Sequence, residues 1–189
     1  VTHVTEDDLD ELEFDTLRSG DHTSAAQRFG ALAESVSSGV SRAKVLLRAG
    51  EQWQHAGDHA KAAELYQLAI DDGGEVYGDP RAYLADALFE LDRKDEAQAL
   101  VQRIRDDAPR DPEVYRTVAE VLYEKGDMSG TYEWATAGAD VVLAIRDQGD
   151  RESAEDSLEA LLRMRYRARL DLGMPEDDYD ALLDDLLKN

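Results

Sequence analysis

Apolar residues recur along this chain at helical spacing, in paired blocks separated by short polar turns. Residues 43–56 place Leu46, Ala49, Gly50 and Trp53 on one face, the i, i+3, i+4, i+7 spacing of an amphipathic helix. Gly57-Asp58 turns the chain, and residues 59–70 carry Ala62, Tyr66 and Ala69 on a second face. The next block starts near Gly78, with Leu84, Ala85 and Leu88 on its first face and Ala97, Val101 and Ile104 on its second. Pro109 ends it, because proline cannot continue a helix. A further block opens at Pro112, with Tyr115, Val118, Ala119 and Leu122, then Gly126-Asp127, then Thr131, Ala135 and Gly138. Its second helix is expected to reach roughly Arg146.

Gly-Asp pairs at Gly20-Asp21, Gly57-Asp58 and Gly126-Asp127 mark a period of about 34 residues, the mark of stacked helix-turn-helix repeats. Asp92-Arg93 takes the place of Gly-Asp in the intervening unit. The flanks are degenerate. Leu9, Leu12 and Thr16, then Gly20-Asp21, then Ala25, Phe29 and Leu32 read as a first hairpin over 6–36. Residues 153–187, broken by Gly173 and Pro175, read as a last one. No sustained alternation of apolar and polar residues occurs, so no sheet is predicted. The chain is expected to form a single all-α domain over 1–189, with clear repeats at 43–142.

The order large, Leu, small, aromatic in the first helix, then Ala, aromatic, Ala in the second, resembles the tetratricopeptide repeat. The small residues let the helices of a hairpin approach closely, and the large ones fill the gap to the next hairpin. The resemblance implies a right-handed superhelix of about five antiparallel hairpins. It also implies a concave groove lined by the first helices, where a peptide or partner protein binds. Mapped onto this chain, that face holds Lys44, Arg48, Glu51, Tyr83, Asp86, Phe89, Glu90, Arg116, Glu120, Tyr123 and Glu124, and less directly Arg163 and Arg167. Chaperone-binding arrays of this type grip a terminal carboxylate with a Lys/Asn/Arg clamp. Leu47, Glu51, Tyr83, Glu113 and Thr117 stand at the corresponding positions here, so that clamp is missing.

A narrower resemblance lies in Gly57-Asp58-His59, Leu65-Tyr66, the run Ala87-Leu88-Phe89-Glu90-Leu91, and the ending Leu172-Gly173-Met174-Pro175 with Asp177-Asp178-Tyr179-Asp180. These are similar to segments of actinobacterial tetratricopeptide proteins, a group that supplies no established activity. Some of them carry a Cys-rich zinc motif, which this chain, having no cysteine, lacks.

Charge narrows the class of partner. The chain carries a net −22 with a pI near 4.4, and so repels nucleic acid phosphates and anionic lipid surfaces. Asp outnumbers Glu and Arg outnumbers Lys, a bias that a GC-rich genome or a high-salt cytoplasm would each produce. Without cysteine there is no disulfide, zinc knuckle or thiol nucleophile. The acidic stretch Val1 to Asp15 has no apolar signal-peptide core. The longest apolar run, Val141 to Ile145, is too short to span a bilayer. A cytoplasmic location is the expectation.

Four groups of residues carry candidate chemistry. His55 and His59 are four apart, but Gly57-Asp58 between them places them on two helices rather than in a metal site. The acidic stretches Asp71 to Gly74 and Asp147 to Glu152 lack the spaced oxygen ligands of a calcium loop. Arg163, Arg165, Arg167 and Arg169 form a basic cluster, with Arg163 and Arg167 on one side of a helix and Arg165 and Arg169 on another. It reads either as charge balance or as a contact for an anion or acidic peptide. Tyr179, Leu182, Leu183, Leu186 and Leu187 give the last helix an apolar face. That face is either a cap on the array or a dimer seam. No nucleotide loop, catalytic triad or cofactor motif stands out.

The expected function is a non-catalytic scaffold, binding a protein or peptide of basic character, as a monomer or homodimer. A chaperone-like holder of a basic or amphipathic client is one alternative. A structural oligomer is another.

Overall fold

The computed structural model describes residues 2–149 and 151–188. Its helices fall into the five expected hairpins. They are α1 (Glu6–Ser19) with α2 (His22–Ser35), α3 (Arg42–His55) with α4 (His59–Asp72), α5 (Pro80–Glu90) with α6 (Lys94–Asp106), α7 (Pro112–Glu124) with α8 (Met128–Ile145), and α9 (Arg151–Asp171) with α10 (Asp178–Leu187). A 3₁₀ turn, Arg146–Gln148, follows α8. The backbone clusters into two compact units, one ending at Ile104 and the other beginning at Arg105.

The expectation of no sheet needs one correction. β1 (Thr2–Val4) and β2 (Val36–Gly39) pair in parallel, with Thr2 opposite Val36 and Val4 opposite Gly39. Segments this short are below the length at which alternation can be read. The ribbon ties the start of the chain to the link between α2 and α3, and Val4 is buried beneath it in the core formed with Leu9, Leu12, Phe29, Leu46 and Ala49.

Inside the first unit, close helix approach depends on small residues. Ala49 and Ala85 are wholly buried. Gly50 lies under the Tyr66 ring so closely that a Cβ built there would be 2.4 Å from Tyr66 Cε1. Real carbon atoms do not approach that far, so only glycine fits without displacing the buried Tyr66 ring.

The repeat turn has a fixed geometry. Gly57, at φ +83°, donates its N–H to Gln54 O at 2.9 Å, and Asp58 N–H donates to Trp53 O at 2.9 Å. Asp58 then caps α4 by accepting from Lys61 N–H. Gly126-Asp127 repeats this in the second unit, donating to Tyr123 O at 3.0 Å and Leu122 O at 2.9 Å. Asp92-Arg93 makes the same pair of bonds, to Phe89 O at 3.1 Å and Leu88 O at 2.8 Å. Asp92 must therefore hold φ +59° without being glycine.

The second unit packs α7, α8 and α9 around Tyr115, Val118, Ala119, Val142, Leu158 and Leu161. Tyr115 and Trp134 stack obliquely, ring centroids 5.5 Å apart. α10 lies on α9. Leu183 is buried there and Leu187 is half-exposed, so the last helix covers less apolar surface than its leucine content suggests.

Candidate functional site

In the first unit the candidate residues stand on α3 and α5. Lys44 and Arg48 face α1. Lys44 Nζ pairs with Glu6 and lies 4.4 Å from the Tyr77 ring centre. Arg48 Nη1 pairs with Glu13 Oε2 at 3.0 Å and with Glu51 Oε2 at 4.0 Å. These two cations, expected in the groove, thus also fasten the first hairpin to the second.

Glu51 is the electrostatic centre of this face. Burial pushes its carboxyl up to about 7, against the attraction of Arg48 and with the repulsion of Glu13 adding to the rise. One guanidinium serves two carboxylates, and Glu51 is the more deeply desolvated of them.

A hydrogen-bonded chain links α3, α4 and α5 beside it. Tyr66 donates its hydroxyl to Gln54 Oε1 at 2.8 Å, and Gln54 Nε2 donates to Asp86 Oδ2. The rings of Tyr66 and Tyr83 sit 5.8 Å apart. Phe89 is half-buried and Glu90 is exposed at the end of α5. The structure therefore joins Tyr66 to Asp86 through Gln54, with Tyr83 against the Tyr66 ring, and Glu51 acts on Tyr66 through its charge alone. Sequence reasoning left Gln54, Glu13 and Tyr66 out of the site. Tyr66 was legible only as a core aromatic. Gln54 carried a signal, since it follows Glu51 by three and shares its face.

In the second unit, Arg116 is bound on both sides by its own helix, to Glu113 at 2.5 Å and to Glu120 at 3.3 Å. Burial raises the Glu120 carboxyl, Arg116 opposes this, and Glu113 and Glu124 reinforce it. Tyr123 is half-buried and Glu124 exposed.

The arginine cluster divides as its spacing predicts. Arg165 and Arg169 are buried and bind the chain's own α10 region. Arg165 reaches Asp177 and donates to Tyr132 Oη at 2.7 Å and Thr136 Oγ1 at 2.9 Å. Arg169 Nε lies 3.0 Å from Asp180 Oδ2. Arg163 stays outside and pairs with Glu159 at 2.7 Å. Arg167 is exposed. His55 ends α3 and His59 begins α4. His55 stacks on His22, with ring centroids 5.1 Å apart.

Two family models of the tetratricopeptide repeat match the chain, one over residues 15–75 and one over residues 54–121. With ten helices in successive hairpins, the chain belongs to the tetratricopeptide repeat proteins, whose repeats generally mediate protein–protein interaction and are typically non-catalytic. No curated protein matches it. Among the described residues, no helix is long and apolar enough to cross a membrane.

Proposed function

We propose that this protein is a non-catalytic scaffold whose first-helix faces receive a partner protein or peptide of basic character. The observation that carries the reading is the network around Glu51. The half-buried Glu51 carboxylate shares the Arg48 guanidinium with Glu13, on the unit whose α5 carries Asp86, Tyr83 and Phe89. A lysine or arginine of a partner would supply the missing positive charge, and the aromatic rings would pack on its methylene stem. Arg116, Glu120, Tyr123 and Glu124 on α7 present a similar mixture in the second unit, and Lys44 and Arg48 fix the frame in the first. The net charge of −22 would speed the encounter with a cationic partner.

The test is affinity capture from the native cell, followed by titration of the recovered partner against the purified protein. A segment rich in Lys or Arg, bound less tightly as salt rises, supports the proposal. An acidic partner, or one indifferent to Glu51→Gln and Glu90→Lys together, overturns it. An insoluble client held in solution would favour the chaperone-like alternative.

A further inference from the structure

A second surface of the first unit, away from the residues above, has the form of a helix-binding groove. α4, α5 and α6 bound a cleft of about 760 Å³. Leu68, Leu84, Leu88 and Leu100 line it. Leu68 at its edge is 44% exposed. The far side runs from Arg93, just before α6, to Arg103, about 15 Å at helical rise, which matches roughly ten residues of a docked helix.

The rim is polarised. Glu64 stands on α4 and Arg103 on α6, and neither has a hydrogen bond or ion pair among the described residues. Arg93 and Glu96, further along the rim, are satisfied by each other at 2.6 Å. An occupant complementary to this cleft therefore carries apolar side chains on one face, a base on the flank toward α4 and an acid on the flank toward α6.

A second copy of this chain does not fit that description well. Its exposed helical apolar pairs, Phe14 with Leu17 on α1 and Tyr166 with Leu170 on α9, each span a single turn rather than three, and both copies would carry −22. We infer that the α4–α5–α6 cleft docks an amphipathic helix of a partner protein, three turns long, with leucine-type anchors between a basic and an acidic flank. This site is separate from the Glu51 face, so the chain would hold two partner segments at once.

The probe is a synthetic three-turn peptide with Leu at i, i+3, i+4 and i+7, Lys along one flank and Glu along the other. Its mirror has the two flanks exchanged. Fluorescence anisotropy with the full chain should show saturable binding of the first peptide, and at least tenfold weaker binding of its mirror. Leu68→Asp should weaken binding tenfold or more, with unchanged circular dichroism because Leu68 is partly exposed. Glu64→Lys with Arg103→Glu should exchange the preference between the two peptides. Glu90→Lys should leave peptide binding unchanged, which separates this site from the Glu51 face. Three outcomes overturn the inference: no binding of either peptide, equal binding of both, or self-association of the protein that Leu68→Asp abolishes.

Discussion

Arg165 and Asp177 meet in a two-point bridge, with Nη1 to Oδ1 at 2.9 Å and Nη2 to Oδ2 at 2.5 Å. Arg165 is only 2% exposed, so its charge depends on that carboxylate, on Tyr132 and on the rings of Tyr132 and Tyr179 that cover it at 4.5 and 4.3 Å. The bridge fastens a short acidic helix to α9, where only Leu183 of α10 is buried.

Asp177 has two tasks that a substitution can separate. It bridges Arg165, and it caps α10 by accepting from Tyr179 N–H. Asparagine caps as well as aspartate does, so Asp177→Asn removes the charge and keeps the cap. The expected cost is about 1–2 kcal/mol, below that of a fully buried pair because the Asp177 side chain is 36% exposed. Hydrogen exchange should accelerate across 178–187 and stay unchanged in the first unit.

The same bridge sets an acid limit. Hydrogen bonds from Arg165 hold the Asp177 carboxyl below its ordinary value, against the cost of burial. A lowered carboxyl stabilises the fold above its ordinary pKa, and that contribution disappears as pH falls through the lowered one. α10 should detach in acid, below about pH 4. Exchange of the α10 amides against pH checks this, and Asp177→Asn should flatten the dependence.

Glu51 acts in the opposite sense. Its carboxyl is raised from 4.5 to about 7, so its contribution is full below the unfolded value and lost as pH rises through the folded one. Stability should fall between about pH 4.5 and pH 7, by at most roughly 3 kcal/mol. Glu51→Gln should remove the slope and stabilise the protein at pH 8, as read from denaturant midpoints.

Gly50 tests the helix register. Gly50→Leu drives a side chain into the Tyr66 ring and should cost about 1–3 kcal/mol, lowering the melting temperature by several degrees. A neutral result would mean that α3 and α4 do not approach at this position.

Asp92 tests the repeat turn. Asp92→Gly relieves the left-handed backbone at φ +59° and should stabilise by about 0.5–1 kcal/mol. Adding Arg93→Asp restores a side-chain cap to α6, at the loss of the exposed Arg93–Glu96 pair, and should raise the melting temperature further.

The hairpins were legible because each combined a 3.6-residue apolar stripe with punctuation at its turn. α1 and α2 fall within the segment 6–36 read from the pattern, and α8 ends at Ile145, beside the expected Arg146. The β1–β2 ribbon was not legible, because three or four residues cannot display a period. The pairing of Lys44 with Glu6 and of Arg48 with Glu13 was not legible either. Those partners are 38 and 35 residues apart, and an acidic chain offers many carboxylates at any such separation. In the arginine cluster, spacing separated Arg165 and Arg169 from Arg163 and Arg167. Only the fold shows that the first pair is buried against Asp177 and Asp180.

If the Glu51 face receives positive charge from a partner, binding must depend on pH. A cation docked beside Glu51 lowers its carboxyl from about 7, so binding must release a proton. Calorimetry of the recovered partner in two buffers of different ionisation enthalpy should show that release near pH 7, with affinity rising from pH 6 to pH 8. Glu51→Gln should abolish both effects. A partner that binds without proton release, with the same affinity for Glu51→Gln at both pH values, would contradict the account.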